Sequence, residues 1–278
     1  MINWIQTPKN PDVAKYIDCY WFLERTDDSD SNPFPKLNPE PAGHLIIAAS
    51  TQGYNYDIES DLKKGQGSHW LFPYSKTLQM DHTKGFSIIG IKFQVGALYL
   101  LGIEPKQPVV NEIVDTNISD FLCVKEGEQV LLLQQAKSDS EQLSLQLDDL
   151  FQSLFTAVKE DKHYVLTRKA IPLLATTPIA KLGELLHCSQ RTLERSFLRV
   201  TGFTLKQCQS MNRLEAMLTY LYQREEHEIN WTTVAHEFGF SDQPHLIRYL
   251  KSTLGVTPKE YAKNRDLTID IYGGIESL

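Results

Sequence analysis

The segment 230–261, NWTTVAHEFGFSDQPHLIRYLKSTLGVTPKEY, constrains the fold most tightly, because its caps and stops admit only short helices. Asn230 is placed to cap the first, which carries Val234, Ala235 and Phe238 on one side. Gly239-Phe240-Ser241 reads as a turn, and Asp242 as the N-cap of a second helix. On that helix Leu246 and Leu250 are spaced to face inward, with Tyr249 beside them. The helix stops at Leu254-Gly255. Thr257-Pro258-Lys259-Glu260 then combines a capping box with proline at the first helical position, so a third helix begins there.

A fainter copy lies 53 positions upstream, where Ser189, Leu193, Arg195, Phe197, Gly202 and Thr204 fall on Asp242, Leu246, Arg248, Leu250, Gly255 and Thr257. Each pair keeps a cap, a core position, a cation or a stop signal in the same place, which argues for two related units. Helix, tight turn, helix is the outline of a helix-turn-helix. In the upstream unit Thr177-Pro178 opens a helix through Leu186, and Ser189 caps the next through about Val200. Thr204-Leu205-Lys206-Gln207 is another capping box. It opens a long helix to about Arg224, with Leu205, Cys208, Met211, Leu214, Leu218 and Leu221 inward, and this helix joins the two copies. EEHEIN at 225–230 is the flexible-looking gap between them.

With 278 residues the chain is long enough for two domains, and 41% apolar content supports sizeable cores. No apolar run reaches the ~18 residues of a membrane span, and MINWIQTPKNPD lacks the regions of a signal peptide. Cys19, Cys123, Cys188 and Cys208 are scattered without a CxxC, as expected of free thiols in a cytoplasmic protein. Cys188 and Cys208 read as small apolar core positions. The net charge of −7 conceals an asymmetry: residues 168–265 hold 14 Lys and Arg against 9 Asp and Glu, whereas residues 1–167 hold 14 against 23. A basic C-terminal module on an acidic partner points to a polyanion meeting one part only.

Residues 16–25, YIDCYWFLER, suit a strand, and 26–43, rich in Asp, Ser, Asn and Pro, suit an exposed loop. HLIIAAS at 44–50, HWLF at 69–72 and FSIIGIKFQ at 86–94 continue a pattern of short strands and turns, expected to form a small barrel or sandwich. GALYLLG from Gly96 reads as a short helix, and Pro105 and Pro108 mark a connection. Residues 118–174 read as helices, with Leu143, Leu147, Leu150, Leu154 and Val158 in a stripe. Two heptads of that kind suit either a dimer seam or packing on the same domain.

The residues TTVAHEFGFSDQPHLIRYLKSTLGVTPKEY resemble the second helix-turn-helix of the AraC/XylS family of bacterial transcription regulators. Val234, Ala235, Gly239, Phe240, Arg248, Lys251, Gly255, Val256, Thr257, Pro258 and Tyr261 meet the family pattern. The upstream unit is similar through Ser189, Arg191, Thr192, Leu193, Arg195, Phe197, Gly202 and Arg213. The start of the chain is also similar to sensor domains found before this module, through PEPAGHLII at 39–47 and IKFQVGALYLLG at 91–102. The expected architecture is α+β. A small cupin-like β-barrel or sandwich with flanking helices occupies 1–160, and an all-α domain of two helix-turn-helix units on a long linker helix occupies 165–265.

A recognition helix reads base edges from its outward face. In the first unit that face is expected to carry Gln190, Arg191, Glu194, Arg195 and Arg199; in the second, Gln243, Pro244, Ile247, Arg248 and Lys251. Arg191 or Arg195 suits a bidentate pair with guanine, Glu194 suits cytosine N4, Gln243 adenine, Ile247 a thymine methyl, and Lys251 a phosphate. The resemblance places the base-reading positions at Arg191, Glu194, Arg195, Gln243, Pro244 and Arg248. Pro244 departs from the usual Ser or Gln and gives up a donor, and Ile247 is apolar where a polar residue is expected. For any one of these charges a solvated helix face is the simpler reading; the set as a whole favours DNA.

His44, His69 and His82 fall in the strand-rich half but form no HxH pair, so no metal or cofactor is expected. There is no GxSxG and no P-loop. Tyr20, Trp21, Phe22, Trp70, Phe72 and Tyr74 are candidates to line an effector pocket, although aromatic strand residues usually build core. The leading expectation is a non-enzymatic regulator of transcription that binds double-stranded DNA and a small-molecule effector, with a homodimer as a further option. RNA polymerase would be a partner of an activator. The alternatives are control by a protein partner through the acidic half, or an enzyme using the module as a DNA anchor.

Overall fold

The computed structural model describes residues 2–27, 32–58, 60–102, 108–122, 124–125 and 127–272. Cys123 and Pro105 lie outside them. The strands are β1 (Ile2–Gln6), β2 (Ile17–Arg25), β3 (Lys36–Leu37), β4 (His44–Ala48), β5 (Gly53–Ile58), β6 (Asp61–Gln66), β7 (His69–Leu71), β8 (Leu78–Met80), β9 (Phe86–Phe93) and β10 (Ile113–Asp115). The α-helices of the first half are α1 (Pro11–Ala14), α2 (Ala97–Leu101), α3 (Gln129–Ser138) and α4 (Ser140–Thr156). Those of the second are α5 (Lys162–Ala170), α6 (Ile179–Leu185), α7 (Gln190–Thr201), α8 (Leu205–Tyr222), α9 (Trp231–Glu237), α10 (Gln243–Leu254), α11 (Pro258–Asn264) and α12 (Thr268–Tyr272).

Two antiparallel sheets build the first half: β1-β2-β9-β4-β7-β10 and β3-β8-β5-β6. The three strands anticipated after β2 are β4, β7 and β9; the 26–43 segment is not a simple exposed loop, since it holds β3 and buries Pro39 and Ala42. In the central strands the two-residue period sends Leu45, Ile47, Ile89, Ile91 and Phe93 into a core shared with α3 and α4. His44, Ile46, Ile88 and Lys92 border the cavity on the other side. The strands β4 and β9 are thus covered on both faces, which is why their sequences run nearly continuously apolar.

The leucine stripe on α4 packs on its own domain. Leu143 and Leu147 are fully buried with Phe151 in the core against the six-stranded sheet, and Leu150, Leu154 and Val158 pack around them. Each such buried side chain contributes about 1.5–3 kcal/mol relative to exposure. Asp148 of the same helix accepts from Lys9 N and Asn10 N at 2.7 Å each and from Tyr20 Oη at 2.8 Å, tying the chain start and β2 to the helix.

In the second half α8 is a spine for two cores. Its first turns place Leu205, Cys208 and Met211 against Leu193 and Phe197; its last turns place Leu214, Leu218 and Leu221 against Leu246 and Leu250. Cys19, Cys188 and Cys208 form no disulfide, and burial pushes the Cys208 thiol up to about 12. Cys188, expected in the core, is only partly buried. The 225–230 gap is a short 3-10 turn, Glu226–Glu228, closed by a capping box between Glu225 and Glu228.

Candidate nucleic-acid interface and interdomain pocket

The two repeated units match position for position from their N-caps onward. Ser189 Oγ accepts from Thr192 N, and an Asp242 carboxylate oxygen accepts from His245 N. Both helices run 12 residues and end on a left-handed glycine, Gly202 at φ 75° and Gly255 at φ 74°. Thr204 and Thr257 then close capping boxes with Gln207 and Glu260. The turn before the cap differs: in the first unit two residues, His187 and Cys188, separate the end of the helix cap from Ser189, and in the second three, Gly239 to Ser241, precede Asp242. The spacing of 53 therefore holds for the recognition helices and not for the helices that precede them.

On α7 Leu193, Ser196, Phe197, Val200 and Thr201 are buried, which turns Arg191, Glu194 and Arg195 outward and exposed. Gln190 is half-buried and donates to Glu194 Oε1 at 3.0 Å. Leu198 sits on the same outward face and is 49% exposed, an apolar position that the cation pattern gave no reason to single out. Arg199 is exposed but leans the other way, its Nε donating to Tyr99 Oη of α2 at 3.1 Å. On α10 Leu246, Leu250 and Leu254 are buried, and Pro244, Arg248 and Lys251 are exposed. Ile247 and Gln243 are half-buried, with Thr232 Oγ1 donating to Gln243 Oε1 at 3.4 Å.

The linker is tied to the second unit by more than apolar packing. Tyr249 Oη donates to Ser210 O at 2.9 Å, and the Arg213 guanidinium lies 4.4 Å over the Phe240 ring and 5.3 Å from that of Tyr249. The C-terminal ends of both recognition helices meet the sheet domain. Val200 joins its core cluster, and Thr77 Oγ1 donates to Thr253 O at 2.5 Å. Lys36 adds an ion pair to Asp266 at 2.5 Å. Arg191, Glu194 and Arg195 of α7 and Pro244, Arg248 and Lys251 of α10 are left exposed.

Between the domains lies a cavity of about 340 Å³. Its walls come from both sheets, from Leu218 and Thr219 of α8, and from Thr268 and Ile269 of α12. Trp21, Phe22 and Tyr74 are among the residues that line it. Trp21 lies flat over Gly90, its partner in the β2–β9 register; a Cβ there would fall 1.9 Å from the indole, so only glycine admits the ring. Tyr20 and Trp70 instead enter the core beneath the helices, and Phe72 borders a smaller cavity beside Gly96 and Arg199. The period of two along β2 turns Trp21 to the cavity and Tyr20 and Phe22 to the core, and Phe22 also borders the cavity.

One corner of the cavity is polar. Lys92 Nζ is 2.6 Å from Glu40 Oε1, 3.7 Å from Glu215 Oε1 of α8 and 3.6 Å from Asp18 Oδ2. His44 Nε2 meets the second Glu40 oxygen at 2.9 Å. Burial alone would raise the Glu40 carboxyl; Lys92 and His44 outweigh it and hold the group well below the usual carboxylate range. Burial likewise disfavours the Lys92 ammonium, and the surrounding carboxylates reverse this, raising it well above its ordinary value. Glu40, Lys92 and Glu215 were not among the expected site residues. The available signal was the lone charge in FSIIGIKF, a lysine inside an otherwise apolar strand.

The other histidines have separate partners. His69 Nδ1 lies 3.0 Å from Gly67 O and its Nε2 2.9 Å from Tyr56 Oη, and burial lowers it to about 4. His82 packs on Phe86, and burial lowers it to about 3. Among the described residues no three His, Cys, Asp or Glu are grouped as metal ligands, and no helix is long and apolar enough to cross a membrane.

Residues 182–264 match the family described as a helix-turn-helix domain. This segment is an AraC-type helix-turn-helix domain. It covers α7 to α11 and the end of α6, so both recognition helices and the spine between them belong to it. The chain is similar in structure to ToxT from Vibrio cholerae, with 12% identity and a TM-score of 0.49 over 90% of this chain and 98% of that one. It is also similar to ToxT from strain SCE256 with bound unsaturated fatty acid, at 14% identity, a TM-score of 0.45, and 89% and 96% coverage. The C-terminal domain of AraT, a response regulator from Geobacillus stearothermophilus, is similar at 18% identity and a TM-score of 0.34 over 39% of this chain and 92% of that one. No curated protein matches. Within the AraC-type domain the first unit presents more charge outward than the second, since Pro244 and Ile247 occupy the face that Arg191 and Glu194 share with Arg195 in α7.

Proposed function

We propose that the chain is a sequence-specific DNA-binding regulator of transcription whose two recognition helices enter adjacent major grooves, and whose sheet domain binds a small-molecule effector in the interdomain cavity. The observation that carries the DNA reading is the pair of capped 12-residue helices on one spine, each with its cations outward and its apolar side closed. Arg191, Glu194 and Arg195 serve as the main base readers; Arg248 and Lys251, flanked by Pro244 and Ile247, supply phosphate and shape contacts. Gln190 and Gln243 orient neighbouring side chains, and Arg199 works at the domain contact with Tyr99.

Support for the effector reading comes from where the cavity lies. Its wall includes α8, so a molecule inside touches the spine on which both recognition helices are set. Hydroxyl-radical footprinting on DNA selected from a random pool tests the DNA reading. The expected result is protection of two successive grooves on one face, about 34 Å apart, by a single chain. Protection of one groove only would refute the paired-reader model, and the absence of any selected sequence would refute specific binding.

A further inference from the structure

One apolar side chain stands in the middle of the outward face of α7. Leu193, Ser196, Phe197, Val200 and Thr201 form the core side of that helix, and the opposite side carries Arg191, Glu194 and Arg195. Leu198 comes one turn after Glu194 and Arg195 and two turns after Arg191. A helix drifts only about 20° over seven residues, so Leu198 stands in line with Arg191, about 10 Å further along the axis, and points away from the core. It is 49% exposed. Arg199 turns to Tyr99, and Val200 and Thr201 are buried, so Leu198 ends this row of side chains. A surface leucine standing alone calls for no explanation, but this one lies on the same line as the polar groups proposed to read bases.

The repeat narrows what the position can do. Fifty-three residues on, the same slot of α10 holds Lys251, which is also exposed. A lysine has a long, flexible stem that can swing sideways to a phosphate. A leucine has neither the reach nor a donor, so in the same slot it can only pack against what lies directly before it. The apolar group that a base edge presents in the major groove is the C5-methyl group of thymine. With α7 along the groove, about 10 Å spans roughly three base-pair steps of about 3.4 Å, which sets Leu198 about three steps from the base facing Arg191.

We infer that Leu198 is a specificity-determining residue of the first unit and selects thymine by packing on its C5-methyl group. This rests on the DNA reading proposed above, with α7 in the major groove. Arg191, Glu194 and Arg195 choose by hydrogen bonds, and Leu198 extends the readout of the helix by one turn.

The test uses the full chain and duplexes carrying its selected site. Each thymine in the protected grooves is replaced singly by deoxyuridine, which removes the methyl group and keeps the hydrogen-bonding edges of the base. At one position uracil is expected to weaken binding about three- to tenfold, as the loss of one buried methyl contact gives. Leu198→Ala should bind the thymine and uracil versions of that site equally, at about the affinity of the native chain for uracil. Leu185→Ala, which removes a leucine of α6 that is 54% exposed, should keep the discrimination. Thermal unfolding of Leu198→Ala at the native temperature verifies that the fold is intact. A selected site with no uracil-sensitive thymine, or a sensitivity that persists in Leu198→Ala, would overturn the inference and leave the DNA reading standing. The absence of any selected sequence would overturn both.

Discussion

Replacing Lys92 by methionine keeps most of the side chain's bulk and removes only the ammonium. Glu40 then loses its 2.6 Å partner and keeps the His44 contact at 2.9 Å. Breaking a buried pair from one side costs about 3–5 kcal/mol. The surviving His44 contact and the access of water through the cavity place the expected loss near the lower end, about 3 kcal/mol. Glu215 and Asp18 are more exposed and add little. The pH dependence makes the prediction specific. In the native protein the Glu40 carboxyl lies below its ordinary value of 4.5, so its stabilising contribution is fully present above that value and is lost as pH falls through the folded-state pKa. In Lys92→Met the largest lowering partner is gone, and burial shifts the carboxyl upward from its native value. A raised acid destabilises the fold most when ionised, so the deficit is largest at neutral pH and shrinks as pH falls through the raised value. Urea unfolding followed by circular dichroism from pH 7 downward measures this, with Lys92→Met/Glu40→Gln expected to recover most of the loss. A loss below about 1 kcal/mol, or a deficit that stays constant or widens on acidification, would refute the reasoning.

Two further substitutions test the domains separately. Asp148→Ala leaves two backbone N–H groups and the Tyr20 hydroxyl without their acceptor, and should destabilise the sheet domain by about 3–5 kcal/mol in urea titration; a change under about 1 kcal/mol would show that water replaces the carboxylate. Arg195→Ala should weaken binding to selected DNA by about 1–3 kcal/mol in a mobility-shift titration, and an equal loss on random DNA would make Arg195 a phosphate contact instead.

The helical half was legible because its signals are local. Ser189, Thr204, Asn230, Asp242 and Thr257 each cap a backbone N–H two or three residues away, as their identity and position indicated. The inward leucines follow from helical period alone. The strand-rich half was read only where strands are strongly apolar. The β5–β6 hairpin was not read although β5 alternates Tyr54, Tyr56 and Ile58 with Asn55 and Asp57, because β6, Asp61–Gln66, carries Leu62 as its one large apolar side chain, and β1, β3, β8 and β10 are short or lie at the edge of readable pattern. Of the aromatic candidates, Trp21, Phe22 and Tyr74 reached the cavity and Tyr20, Trp70 and Phe72 did not.

The sequence by itself determined the two repeated units, their caps, their stops and the outward placement of Arg191, Arg195, Arg248 and Lys251, since all of these depend on neighbours within about one helical turn. Tertiary structure alone decided that the α4 leucines pack on their own domain, that Arg199 turns to Tyr99, and that Glu40, Lys92 and Glu215 meet in one corner. Those three lie on a loop, a strand and a helix far apart in the chain. No local period or cap encodes such a meeting; only the closing of the sheets against the spine brings the charges within reach of one another.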